Sequence, residues 1–181
     1  MKTLLAPLLV ISRLIDGLNE RIGRVAPWLV LAMVLLSSGN ALVRKIFDSS
    51  SNAYLEGQWY MFAALFLLCG GYTLLRQEHV RIDVIYSRFS RRTQVWIDVL
   101  GTLLFLLPFA LLLLFLCWPY FLDAWNSGEI SANAGGLTQW WVKLFMPLGF
   151  LLLALQGGSE LIKRLAFLAG QAPDPMADKK P

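Results

Sequence analysis

The sequence is poor in the side chains that do chemistry. It has one histidine, His79, so a bis-histidyl haem anchor is excluded and a histidine-rich metal site has little to draw on. Its two cysteines, Cys69 and Cys117, lie far apart inside apolar stretches with no CxxC spacing. They read as small buried hydrophobes, which excludes a thiol oxidoreductase built on cysteine pairs. Charged residues make up 15% of the chain against 57% hydrophobic, a balance that excludes an ordinary soluble domain. No carboxylate falls at the middle of an apolar stretch, where an ion-coupling site is expected. That counts against an independent small carrier or efflux protein, and the missing histidine, cysteine and carboxylate clusters count against an intramembrane enzyme. No catalytic residue, cofactor or metal ligand is expected.

What the chain does have is long apolar blocks. A helix needs about 20 such residues to cross a hydrocarbon core of about 30 Å. Charges bound the blocks at Arg24 and Arg44, at Glu56 and Arg76, and at Asp98 and Asp123, the last pair enclosing 24 uncharged residues. The fourth block, between Lys143 and Glu160, encloses 16 residues and reaches spanning length if both charges snorkel to the interfaces. The pattern predicts an all-α integral membrane protein with four spans, at about 25–43, 57–75, 97–122 and 140–161. Residues 1–170 read as one membrane domain. Gln171–Pro181 (QAPDPMADKKP) has little apolar content and reads as a disordered cytoplasmic tail.

Orientation follows from lysine and arginine. Lys2, Arg13, Arg21 and Arg24 precede span 1; Arg76, Arg81, Arg88, Arg91 and Arg92 separate spans 2 and 3; Lys163 and Arg164 follow span 4. Only Arg44, Lys45 and Lys143 fall on the other side. Both termini and the middle loop are therefore expected in the cytoplasm. The net charge of +4 is assigned to loops facing anionic lipid rather than to nucleic acid. Trp59, Tyr60, Trp118, Tyr120, Trp125, Trp140 and Trp141 mark the outer boundary, and Trp28 and Trp96 the inner one.

Two shorter helices are expected beside the spans. Leu8, Ile11, Ile15, Leu18, Ile22 and Val25 recur at steps of three and four, with Ser12, Arg13, Asp16, Asn19 and Glu20 elsewhere. This predicts a retained amphipathic helix lying on the inner membrane surface or against a partner before span 1 begins. Ile82, Ile85, Tyr86 and Phe89 likewise share a face, predicting a short interfacial helix between spans 2 and 3. His79, beside Glu78 and two places before Arg81, is assigned a structural role there: capping, or pairing with Glu78, Asp83 and nearby arginines. Gly70, Gly71, Gly149, Gly157 and Gly158 would allow close helix contacts, and Pro108 and Pro147 could kink spans 3 and 4.

With four spans in hand, particular phrases take on meaning. Glu56 at the head of span 2, EHVRIDVIYSRFSRR after it, WIDVLGTLLFLLP opening span 3, the outer stretch WNSGEISANAGGL and the closing KLFMPLGFLLLALQGGSELIKR resemble one family. It is the small membrane subunit of tripartite ATP-independent periplasmic (TRAP) transporters, and the likeness covers roughly residues 20–168. The outer loop and last span are most similar to the branch labelled mannitol/chloroaromatic-compound transport.

The resemblance implies a bacterial inner-membrane protein that works in sodium-coupled, binding-protein-dependent import of an organic acid or related solute. Its partners would be a large multi-span subunit, which carries the moving elevator domain, and a soluble periplasmic substrate-binding protein, with membrane lipid around both. This chain would brace the fixed part. The residues implied for positioning and subunit contact are Glu56, Arg76, His79, Arg81 and Asp83. Those implied for the face that meets the binding protein are Asp123, Glu129 and Ser131.

Overall fold

The computed structural model describes residues 2–48, 51–78, 86 and 88–173, with side chains from Pro7 onward. Its helices are α1 (Lys2–Phe47), α2 (Asn52–Leu68), α3 (Gly70–Arg76), α4 (Arg91–Gly101), α5 (Leu107–Ser127) and α6 (Trp140–Leu168). Among the described residues no strand forms; a single antiparallel bridge joins Ile130 to Thr138. Four helical segments are long and apolar enough to cross a membrane: Pro7–Phe47, Asn52–Arg76, Arg91–Ser127 and Trp140–Leu168.

The second segment is α2 and α3, joined through Cys69. The third is α4 and α5, joined by a π-helical turn at Thr102–Leu106. The cause of that turn lies just beyond it. Pro108 has no N–H to offer the carbonyl four residues back, and its ring crowds that carbonyl. Widening the preceding turn by one residue relieves the clash, and the Leu107 N–H closes it by donating to Thr102 O.

α6 is the central column. It packs against α5 on one side and against α1, α2 and α3 on the other. Its inward positions include Gly149, Ala154, Gly157 and Ser159, small residues that let neighbouring backbones approach. The outside is apolar, with Phe62, Phe66, Phe105, Leu112 and Phe115 all exposed, as lipid requires of a chain that satisfies its backbone within helices.

α1 departs from the expected surface helix. It runs unbroken for 46 residues, about 69 Å at 1.5 Å per residue, more than twice a hydrocarbon core. Pro27 lies within it and does not end it. The face it turns to the rest of the chain is the polar one, with Ile15 and Ile22 of the apolar stripe half-buried at its edge. Ser12, Asn19 and Gly23 are buried against the rest of the chain, whereas Leu8, Ile11, Leu18 and Val25 point outward. Each of these polar side chains finds a polar partner inside the bundle, and burying a polar group against such a partner avoids stranding it.

Pairing along α1 also sets its level. Glu20 meets Arg76 at 2.5 Å, and the Leu36 side chain lies 3.6 Å from where a Cβ on Gly57 would stand. The slab occupied by the second span thus corresponds to residues 20–36 of α1. α1 runs on to Phe47 past this level while α2 reaches back only to Asn52, so α1 overshoots α2 by a little under two turns.

Candidate functional site: polar clusters at the two ends of the bundle

Among the described residues, the buried polar side chains are Ser12, Asn19, Gln156, Ser159, Glu160 and Arg164 near one end of the bundle, and Glu56 and Lys143 near the other. Each group grows from local sequence.

At the first end, α6 reads QGGSELIKR from Gln156 to Arg164, placing Gln156, Ser159, Glu160, Lys163 and Arg164 on neighbouring faces at helical spacing. Glu160 lies between Lys163 and Arg164, accepting from Lys163 Nζ and, at 3.1 Å, from Arg164 Nη1. Arg164 then reaches a second carboxylate: its Nε is 3.3 Å from Asp98 Oδ2 on α4. The Tyr86 hydroxyl donates to the same Asp98 oxygen at 3.0 Å. One buried guanidinium thereby ties the last span to the start of the third.

α1 enters the same cluster. Asp16 Oδ1 accepts from Gln156 Nε2 at 2.8 Å and from the Ser159 hydroxyl at 2.7 Å, while Lys163 Nζ lies 3.1 Å from its Oδ2. The Ser12 and Ser159 hydroxyls are 2.7 Å apart, and Asn19 Nδ2 donates to Gln156 Oε1 at 2.9 Å. A chain of hydrogen bonds therefore joins α1, α6 and α4. Buried charges of opposite sign, each with additional hydrogen bonds, are the arrangement a low-dielectric interior tolerates.

At the other end one carboxylate organises a loop. Ser51 caps α2 by accepting from Ala53 N–H at 3.3 Å, and Glu56 follows on the inward face, 3% exposed. Its Oε1 accepts from the Ser131 hydroxyl and, at 2.8 Å, from Asn133 Nδ2; its Oε2 accepts from the Leu137 N–H at 2.7 Å. Three donors from residues 131–137 thus converge on a side chain from a different span. The loop closes on itself through Ser131 N–H to Leu137 O at 3.0 Å and Gln139 N–H to Glu129 O at 2.9 Å. Asn52 Nδ2 adds a bond to Ala134 O at 3.0 Å.

Lys143 is buried beside this loop, 2.5 Å from Glu129 and 4.1 Å above the ring of Tyr120. Trp125, Trp140 and Trp141 pack in series, with centroids 4.4 Å and 3.9 Å apart.

Gly136 fits this loop because it has no side chain. A Cβ there would sit 2.5 Å from Ser131 Cβ and 2.9 Å from Glu56 Oε1. Gly136→Ala is expected to break the Ser131–Glu56 contact and speed amide exchange at Leu137 by at least about tenfold, the equivalent of one lost charge-assisted bond. Exchange equal to that of the unmodified protein would contradict the clamp.

The residues singled out in the sequence are not all brought to one place. Glu56 and Ser131 are brought together, and Glu129 is drawn toward Lys143 rather than left free. Asp123 stays exposed at the end of α5, where its carbonyl accepts from the Ser127 hydroxyl. Arg76 pairs with Glu20 and lies 5.5 Å over the Tyr72 ring, at the opposite end from Glu56. His79, Arg81 and Asp83 lie outside the described residues, as do most of the expected interfacial helix and residues 174–181 of the tail.

Sequence reasoning missed the Asp16–Gln156–Ser159 junction. Its signal was present as Ser12, Asp16 and Asn19 at spacings of four and three, a polar stripe opposite the apolar one. Among the described residues, no three histidine, cysteine or acidic side chains converge as a metal would require.

The fold and its polar groups define a four-span helical membrane protein whose buried charges lock its own helices together. The family model described as tripartite ATP-independent periplasmic transporters, DctQ component, matches residues 33–167. The chain belongs to that family and is a small permease component of such a transporter. The family functions together with a large permease subunit and a binding protein. A search of curated proteins gives no match.

Proposed function

We propose that this chain is a static brace in the bacterial inner membrane, holding the large subunit of a sodium-coupled importer of organic acids or related solutes. One observation carries the reading: among the described residues, the buried polar groups gather near the two ends of the bundle and are engaged in holding helices or a loop. A carrier acting alone needs binding groups near mid-depth that can change partners during transport. A brace needs a stiff bundle with an apolar exterior, which is what α6 and its neighbours provide. An elevator can slide only against something that stays still.

In this reading both termini and the middle loop are cytoplasmic, and the 129–139 loop faces the periplasm beside Asp123. The loop offers the binding protein the exposed Ile130, Asn133 and Ala134, held in place from below. The stretch containing His79, Arg81 and Asp83, with Arg76 before it, is assigned to subunit contact on the cytoplasmic side.

The test is reconstitution. The chain is expected to copurify with the large subunit. Proteoliposomes containing both, supplied with the binding protein and a sodium gradient, are expected to accumulate substrate, while either membrane chain alone accumulates none. Uptake by this chain alone under an imposed cation gradient would instead establish an independent carrier. Full uptake by the large subunit alone would remove the bracing role.

A further inference from the structure

We infer that Glu56 is a positioning residue for docking: it fixes the shape of the 129–139 loop and so sets affinity for a soluble partner that it does not itself touch. The inference rests on the reading that this loop faces the binding protein. Glu56 is buried beneath the loop, so a docked protein meets residues 130–134 and not the carboxylate. Yet the loop depends on it. The Ser131 hydroxyl, the Asn133 amide and the Leu137 N–H all aim at its two oxygens, matching in number the bonds that residues 131–137 make among themselves (Ser131 N–H to Leu137 O, Gly136 N–H to Asn133 O and Asn133 N–H to Ser131 Oγ) and adding the charge that those lack. Gly136 lies against the same oxygen closely enough that no side chain fits between.

An ionised carboxylate is the side chain that suits three converging donors, because it accepts on both oxygens and donates nothing. A glutamine of the same shape can keep its carbonyl on the Leu137 N–H only by turning its NH2 group toward Ser131 and Asn133, which forces the hydroxyl to accept and the Asn133 amide to flip, and it loses the charge that strengthens all three bonds. The loop would then sample several shapes, and docking would have to order it again, which weakens binding without removing any contact.

Because Glu56 is carried on the second span, the docking surface is built by three spans together. The loop belongs to spans 3 and 4, but its conformation is set from span 2. A binding protein seated there would register the packing of α2 against α6.

The experiment uses the assembled transporter with its binding protein. Glu56→Gln is expected to raise amide exchange across residues 131–137 and to raise the half-saturating concentration of binding protein by roughly tenfold, with the maximal uptake rate within about twofold of the parent. Glu56→Asp, which keeps the charge but shortens the reach, should fall between. It serves as the working variant if Glu56→Gln does not assemble.

Unchanged exchange at 131–137 would overturn the inference by showing that the carboxylate does not hold the loop. Faster exchange with unchanged half-saturation would overturn it by showing that loop shape does not matter for docking. Ala134→Arg, a bulky charge on the exposed loop, tests the underlying reading separately. If it leaves half-saturation unchanged, the loop is not the docking face, and the inference falls with that reading rather than through Glu56.

Discussion

Arg164→Leu is expected to lower the stability of the solubilised transporter by about 3–5 kcal/mol, the range for removing one partner of a buried ion pair. Arg164 is 3% exposed and Glu160 is 2% exposed, so water cannot replace the lost guanidinium at Glu160, and it reaches Asp98 only in part. Leucine would fill the volume while leaving Asp98 and Glu160 without the cation that stood between them. Lys163 already serves both Asp16 and Glu160, and a second demand on it would weaken its hold on α1.

Arg164→Lys should retain part of the stability, because an ammonium can approach one carboxylate but lacks the planar fork that reaches both. Asp98→Asn in the Arg164→Leu background should restore some of the loss, since it removes one of the two carboxylates that Arg164 served; such non-additivity is the signature of a shared network. The measurement is thermal or denaturant unfolding of the purified complex in detergent. A change within about 1 kcal/mol, the range of an exposed pair, would show that the cluster is solvated rather than buried.

Gly149→Leu is expected to separate α2 from α6 and to cost about 1–3 kcal/mol or more, the range for overpacking a filled interior. The obstacle is main chain rather than a mobile side chain. A Cβ at this position would lie 2.6 Å from the Leu67 carbonyl oxygen and 2.9 Å from its carbon. Neither atom can move without moving the helix, so even Gly149→Ala should destabilise. Gly158, nine residues along the same helix, makes the comparison direct, because a Cβ there meets nothing within 4 Å. Gly158→Ala should be neutral or stabilise by up to about 1 kcal/mol through helix propensity. Thermal unfolding of the three variants side by side decides the matter, and equal effects at both positions would contradict the packing.

The two glycines show where sequence reasoning stops. Gly149, Gly157 and Gly158 are all small residues in one apolar helix, and composition offers no way to rank them. Only the direction in which α2 crosses α6 makes one of them indispensable and another replaceable. α1 shows the same limit differently. Its apolar stripe is plain in the sequence, and in a soluble protein that stripe would face inward. Here Ser12, Asp16 and Asn19 face inward instead, because their partners Gln156, Ser159 and Lys163 lie on a helix more than a hundred residues away. Local periodicity reports that a helix has two faces; what lies opposite each face decides which one is buried.

The loop clamp was half legible. Glu56 and Ser131 each stood out, but as separate members of two expected surfaces, and nothing in their spacing says that one accepts from the other. Nothing in the sequence around Glu129 announces the buried lysine that lies beside it.

By itself the sequence determined that the chain is helical and that it has four segments able to cross a membrane, because hydrocarbon admits only long apolar helices and charges mark where they end. It also determined the family, through phrases that survive without any knowledge of contacts. The tertiary structure alone decided that α6 is the shared column, that α1 docks by its polar stripe, and that one carboxylate on the second span holds the loop between the third and fourth. These depend on pairings across distant parts of the chain. An apolar side chain is at home against lipid or protein alike, so its place in the sequence does not fix its neighbour, whereas a buried charge or hydroxyl must find its partner and fixes the packing when it does.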